Sequence, residues 1–250
     1  MKQLQDRVAL VSGAASGIGQ AIALNLAAQG AAVAAVDINR DGAQKTVQQI
    51  TAQGGCALAL HCDLASQSQI TDIISAINSQ FKRLDIVVNS AGISPLVELE
   101  KIELAEWERV LAINLTAPFL IIQAAWQHLK TAGNKGRIIN IGSLSGQMGG
   151  IAVGLHYTSS KGGLMAMTKQ LARLLAPSGG TVNNISPGTT DTPLIQDWPQ
   201  ETRQALVEKI PLGRLGTPQD VAQAACFLAS DAAQFITGAT ININGGMFIA

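Results

Sequence analysis

The chain has 250 residues, 47% of them hydrophobic, and its 17 basic residues balance 17 acidic ones. One sizeable core is expected, since a domain of this size buries roughly 70–75% of its unfolded surface. Zero net charge without a basic stripe argues against a nucleic-acid partner. The longest run of like charge is Lys82–Arg83, too short for a tail that binds DNA or anionic lipid. No segment approaches the roughly 20 consecutive apolar residues of a membrane span, and Val8–Val11 is too short for the core of an export signal. A cytoplasmic location is therefore the expectation. Cys56, Cys62 and Cys226 lack the spacing of a disulfide framework or a zinc site, so no metal is expected.

Short, nearly continuous apolar runs mark strands at Val8–Val11, Ala32–Val36, Ala57–Leu60, Ile86–Val88, Arg137–Ile141, Val182–Ile185 and Ala239–Ile243. Strands covered on both faces read this way. Between them lie helical stretches with apolar residues three and four apart, as in Leu164, Met167, Leu171, Leu174 and Leu175. The alternation predicts an α/β fold: a single domain over residues 1–250, with a doubly wound parallel sheet of seven strands and helices on both faces.

The first strand runs into Ser12-Gly13-Ala14-Ala15-Ser16-Gly17-Ile18-Gly19 and then a helix. Glycines between strand and helix allow a sharp turn, close approach of backbone to a pyrophosphate, and tight helix–strand packing. The free N–H groups of the helix N-terminus suit phosphate. A glycine trio alone also fits a plain turn; its place at the start of a βαβ unit points to a dinucleotide, in the Rossmann manner. The second strand ends at Asp37-Ile38, where a carboxylate can accept hydrogen bonds from ribose hydroxyls and repel a 2′-phosphate. NAD is thus preferred to NADP, although Arg40 is near enough to soften the preference. Asp63-Leu64 follows the third strand, and Asn89-Ser90-Ala91-Gly92 the fourth. Both lie at C-terminal strand ends, where open α/β sheets bind ligands; read alone, Asp63 is also a helix cap and Asn89 a turn residue.

Asn114 falls within a helix predicted over Glu106–Ala125, and Ser143 lies just past the fifth strand. Tyr157 and Lys161 stand four apart near a helix start and so share a face. The segment from Pro187 to Pro211 holds four prolines and reads as a loop with one short helix. A long loop in a compact domain is often a lid or binding loop.

In this order, SGAASGIG, NSAG, Asn114, Ser143, YTSSK and PGTTDT resemble the short-chain dehydrogenase/reductase family over essentially the whole chain, Arg7 to Gly246. The resemblance implies an oxidoreductase in which Tyr157 exchanges a proton with the substrate oxygen. It also implies that Lys161 lowers the tyrosine's pKa and binds the nicotinamide ribose, that Ser143 hydrogen-bonds the reacting oxygen, and that Asn114 anchors a relay water. The chemistry is sensible in its own right. A phenol titrates near 10, and a nearby ammonium brings it toward the working range. Pro187, Gly188, Thr190 and Thr192 match the segment that meets the nicotinamide carboxamide, and a substrate lid follows at about 188–212. Ser12 stands where threonine is frequent, and Asn244 where many members have aspartate.

The chain's end and Ile210–Gly216 look most like the 3-oxoacyl-acyl-carrier-protein reductases. Asp37 argues against their usual NADPH, and Asn134 and Ser178 are uncharged where those enzymes carry docking arginines, so a carrier-protein partner is doubtful. Leu144, Gln147, Gly149 and Trp198, with Ser94, Pro95, Leu96 and Ile151, are the expected pocket walls, and their apolar character suits a small neutral substrate. The family's usual assembly, a homotetramer, is expected. The alternatives are a sugar or polyol dehydrogenase of the same family and a non-catalytic NAD-binding protein on the same fold.

Overall fold

Seven parallel strands lie side by side in the order β3-β2-β1-β4-β5-β6-β7 in a computed structural model that describes residues 2–150, 153–196 and 198–249. The strands are β1 (Val8–Ser12), β2 (Ala32–Asp37), β3 (Ala57–His61), β4 (Ile86–Asn89), β5 (Arg137–Ile141), β6 (Thr181–Pro187) and β7 (Thr240–Ile243). Each matches a predicted run to within one or two residues. The connecting helices are α1 (Gly17–Ala28), α2 (Arg40–Ala52), α3 (Gln67–Phe81), α4 (Leu104–Leu111), α5 (Ala117–Thr131), the one-turn α6 (Ser145–Met148), α7 (Leu155–Leu175), α8 (Gln200–Val207) and α9 (Pro218–Ala229).

Side-chain alternation divides the core in two. On one face Ala9, Val11, Val33, Ile139 and Ile185 meet Ile22 and Leu26 of α1 and Val221 and Leu228 of α9. On the other, Leu10, Val36, Val87, Ile138 and Val182 meet Ile70 and Ile77 of α3, Ile121 and Leu129 of α5, and Leu175 of α7. Both faces being covered explains why the strands read as unbroken apolar runs. Each fully buried aliphatic side chain contributes about 1.5–3 kcal/mol. Local chemistry sets the helix starts: Asn39 accepts from the Gly42 N–H, and Thr217 and Asp220 form a reciprocal capping box on α9.

Two sequence expectations are corrected here. Leu104–Thr131 is one continuous, largely apolar helical run of 28 residues, joined by a π-turn at Ala112–Thr116. It therefore does reach the length and apolarity of a membrane span. Its apolar face, including Val110, Ala117, Ile121, Ala125 and Leu129, is buried within the fold. The interrupting charges and polar residues (Glu106, Arg109, Asn114) hide the length from a reading of uninterrupted runs. The Pro187–Pro211 segment holds a 3-10 turn, Pro193–Ile195, as well as α8, so it is more structured than a loop with one helix.

At the N-terminal edge of the sheet, buried charges are paired. Asp85 accepts from the Val8 N–H at 2.8 Å and from Arg83 at 2.7 and 2.9 Å. Arg7 and Arg137, 2% and 1% exposed, both approach Asp231 and donate to backbone carbonyls of Ala229, Asn134, Gly136 and Ser230.

Candidate active site

The chain steps across the sheet between β3 and β4, so the loops after β1 and β4 part at the C-terminal edge and leave a crevice there. One wall is the Gly13–Gly19 turn. Gly13 has φ +71°, and a Cβ on it would lie 2.8 Å from the Ala91 Cα. A Cβ on Gly19 would lie 2.1 Å from the Gly13 carbonyl oxygen, so only glycine lets α1 sit this close to β1. Ser12 joins the two loops: its Oγ accepts from the Ser90 and Ala91 N–H groups at 3.1 and 3.2 Å. Ser16, the N-cap of α1, makes no side-chain cap bond, leaving the first N–H groups of the helix available to an anion.

This end of the cleft is lined by Gly13, Ser16, Gly17, Ile18, Gly19, Asp37, Ile38, Cys62, Asp63, Leu64, Ala91 and Gly92. The Asp37 carboxylate is fixed by the Ala15 and Asn39 N–H groups at 2.9 and 2.8 Å and still faces the cleft. Asp63 accepts from the Ala65 N–H at 2.9 Å, while Ser66 caps α3. Arg40 does not line the cleft; Arg109 and Ile113 do. Sequence reasoning missed this pair, although their four-residue spacing beside Asn114 puts them on one helix face. Cys62 is fully buried, and burial together with Asp63 raises its thiol to about 11, so it is no nucleophile at neutral pH.

The cleft continues past Ile18, Ser90, Gly92, Thr192 and Leu194, which line both halves, to Ser143, Tyr157 and Lys161. Pro187, Gly188, Thr189 and Thr190 form its wall from β6. The loop after β5 is pinned by two backbone bonds: Gly142 N–H donates to the Ile185 carbonyl at 2.8 Å and Leu144 N–H to the Pro187 carbonyl at 2.9 Å. That holds Ser143 opposite Tyr157 on α7. The Lys161 ammonium donates to the Ile141 carbonyl at 2.7 Å and lies 5.7 Å from the centre of the Tyr157 ring. Burial lowers Lys161 to about 8, leaving it mostly charged at neutral pH. Burial raises the Tyr157 phenol, and the Ser143 hydroxyl beside it opposes the rise. Asn114, fully buried in the π-turn, clamps Ile93 through both its N–H and its carbonyl at 2.9 Å, and donates to Ser160 at 3.1 Å. Ser160 in turn donates to the Tyr157 carbonyl at 2.7 Å.

The substrate half agrees less well with the sequence. Ser94, Leu144, Gly149 and Trp198 do line the cleft. Gln147 does not: its amide donates to Ser186 and Asn242 at 2.7 and 2.6 Å, because the one-turn α6 directs it onto β6 and β7. Asn89 is 2% exposed and donates to Asn140 at 2.8 Å within the sheet, so its side chain is structural rather than cleft-lining. Leu96 is 72% exposed and lies outside the cleft, as does Pro95. Ile151 lies outside the described residues. Ser145, Met148, Val153, Leu206 and Met247 line the cleft without having been anticipated. Of these only Ser145 had a signal, its two-residue spacing from Ser143. His156 is fully buried, and its Nδ1 accepts from the Tyr157 N–H at 2.9 Å, a structural role.

A glycine-built anion cradle joined to a Ser-Tyr-Lys cluster, with Ser143 and Lys161 buried and Tyr157 half-buried, at the switch point of a parallel sheet, defines a dinucleotide-dependent oxidoreductase of the Rossmann type. Comparison with known proteins is specific. A family model described as "Enoyl-(Acyl carrier protein) reductase" matches residues 13–248. A (3R)-3-hydroxyacyl-CoA dehydrogenase of Mus musculus is 38% identical over 255 residues, covering 99% of this chain and 98% of that protein. D-threitol dehydrogenase of Mycolicibacterium smegmatis is 41% identical over 250 residues, covering 99% and 95%. The crystal structure of a dehydrogenase/reductase from Sinorhizobium meliloti 1021 superposes with a TM-score of 0.94 at 39% identity, covering 99% of this chain and 97% of that one. The chain belongs to the short-chain dehydrogenase/reductase family and is an oxidoreductase acting on CH–OH and keto groups.

Proposed function

We propose that this protein interconverts a secondary alcohol and a ketone with NAD(H), with Tyr157 as the acid/base. The observation that carries the reading is the meeting of Ser143, Tyr157 and Lys161 in one cleft with Asp37 at its far end. The residues present suit a nicotinamide dinucleotide. The Gly13–Gly19 turn and the uncapped start of α1 would hold the pyrophosphate, Asp37 the adenosine ribose, Asp63 and Leu64 the base, and Gly188, Thr190 and Thr192 the nicotinamide end. A bound nicotinamide supplies or accepts the hydride.

The remaining work belongs to the chain. At neutral pH the Tyr157 phenol, raised further by burial, is protonated, the form that can donate to a carbonyl oxygen. The Lys161 ammonium stabilises the phenolate left behind, and the Ser143 hydroxyl donates to the oxygen on which charge develops. Asn114 keeps the β4 loop and the start of α7 in register through Ile93 and Ser160.

Met148, Val153, Leu194, Ile195, Trp198, Leu206 and Met247 give an apolar wall with Lys161 as its sole charged lining residue among those described. This favours a neutral, partly apolar substrate such as a 3-hydroxyacyl or 3-oxoacyl compound over a free acid. The similarity to D-threitol dehydrogenase supports a second reading, a polyol substrate held by Ser94, Ser143 and Ser145. Asn134 and Ser178 offer no cationic dock, so a carrier protein is not expected as partner. Self-association, as a homotetramer, is expected to cover Leu155 and Leu174 of α7, 47% and 53% exposed, and Phe119 of α5, 46% exposed. A cytoplasmic location accords with such chemistry.

The test is a paired fluorescence titration with NADH and NADPH, followed by turnover of 3-hydroxyacyl thioesters against polyols. Tighter NADH binding and acyl turnover are expected. Preference for NADPH would overturn the role given to Asp37, and turnover of polyols alone would select the second reading.

A further inference from the structure

The backbone around Ser143 is pinned on both sides, by Gly142 N–H on the Ile185 carbonyl and Leu144 N–H on the Pro187 carbonyl. What stays free is the direction of the Ser143 hydroxyl proton. That direction decides whether the group can act, since a hydroxyl has one proton to give and two lone pairs to fill. Ser143 Oγ accepts from the Ser145 N–H at 3.1 Å and lies 2.8 Å from Ser145 Oγ, with either hydroxyl able to donate. If Ser143 gave its proton to Ser145, nothing would be left for a substrate oxygen or for the Tyr157 phenolate. Among the described residues Ser145 Oγ has no hydrogen-bond partner but Ser143. Both hydroxyls line the cleft, yet Ser143 is the one beside the phenol.

We infer that Ser145 is a positioning residue: its hydroxyl donates to Ser143 Oγ, filling the serine's second lone pair and turning the Ser143 proton toward the reacting oxygen. The two hydroxyls then form a directed chain, Ser145 to Ser143 to substrate or phenolate. A donor that is itself accepting a hydrogen bond is polarised and donates more strongly. No bond to hydrogen breaks in this arrangement; it orders one rotor before the chemistry. The inference rests on the reading of Ser143 and Tyr157 as the reacting pair.

Tyr157 is the chain's single tyrosine. The ultraviolet absorbance of tyrosinate therefore reports this phenol alone, without substrate or turnover. Lys161 is the sole charged group lining this part of the cleft among the described residues, and buried His156 is the titratable neighbour; neither is altered by substitution at Ser145. In Ser145→Ala the Tyr157 midpoint should rise by roughly 0.2–0.6 unit, because the Ser143 donor keeps its bond to the phenolate but loses the polarisation that Ser145 gives it. kcat should fall about 2- to 10-fold with KM little changed, and Ser145→Thr should restore both. In a Ser143→Ala background the same substitution should do nothing further, because Ser145 acts through Ser143.

A midpoint that falls in Ser145→Ala would mean that Ser145 had been taking the proton, and would overturn the inference. So would an unchanged midpoint, a rise in KM alone (direct substrate contact), or an effect that persists without Ser143. Failure of the parent reading is seen separately, as turnover retained by Tyr157→Phe; the absorbance titration does not depend on it.

Discussion

Arg7 and Arg137 at the N-terminal edge of the sheet are as thoroughly buried as Lys161 at the C-terminal edge, but their surroundings differ. The arginines share Asp231 and four backbone carbonyls. Arg137 is lowered to about 10 by burial and then by Arg7, with Asp231 opposing, and it stays charged throughout the physiological range. Lys161 has one carbonyl and, among the described residues, no carboxylate. That carbonyl offsets its burial only in part, and the ammonium lies 5.7 Å from the centre of the Tyr157 ring. Paired buried charge fastens the fold; unpaired buried charge is available for chemistry, at a cost in stability.

The sharpest way to break this contrast is Tyr157→Phe, which removes the titrating hydroxyl and leaves the ring. Turnover should fall roughly 10²- to 10⁴-fold, the range for one general acid/base. NADH binding by fluorescence and the melting temperature should change little. Retained turnover would separate the buried ammonium from catalysis altogether.

Lys161→Met should also abolish most turnover, yet stabilise the apo protein. The folded state lowers this amine from 10.5 to about 8, so the unfolded chain binds the proton more tightly. The penalty is full below about pH 8 and fades as pH rises to about 10.5, where neither state is charged. Denaturant unfolding at pH 7 should therefore show a gain of roughly 1–3 kcal/mol over the parent, shrinking toward high pH. A loss of stability at pH 7 would mean that the bond to the Ile141 carbonyl outweighs desolvation.

The functional edge was far more legible in the sequence than the structural one. Gly13, Gly19, Asp37, Tyr157 and Lys161 follow strand ends or sit four apart on one helix, so local spacing carries their geometry. Arg7 meets its carbonyl partner 222 residues away, and no local pattern announces such a pair. Asn89 and Gln147 misled for a related reason: their neighbours in sequence line the cleft, but strand alternation and the one-turn α6 send both side chains into the sheet. Met247 reaches the cleft from beyond β7, a placement set by the Asn244 amide, which donates to the Phe248 carbonyl and accepts from the Gly246 N–H.

Asp37 tests whether the outer end of the cleft is electrostatic or merely structural. Its two oxygens each accept one backbone N–H, from Ala15 and Asn39, so Asp37→Asn keeps one of these bonds, sets its NH2 against the other N–H, and removes the charge. If the charge excludes a 2′-phosphate, the ratio of NADPH to NADH dissociation constants should drop about 10-fold or more in the variant. An unchanged ratio with both affinities weakened would make Asp37 a loop anchor only.

The smallest expected effect comes from the opposite edge. Asp231 is 68% exposed, so solvent screens its pairing with Arg7 and Arg137, and much of their satisfaction comes from carbonyls. Asp231→Ala should lower stability by about 1–2 kcal/mol, because two guanidinium groups lose their shared counter-charge while keeping most hydrogen bonds. kcat and the Tyr157 titration should be those of the parent, since the full length of the strands separates this cluster from the cleft. A change in the Tyr157 midpoint would mean that charge at one edge is felt at the other, and the division of labour between the two edges would then be one of degree.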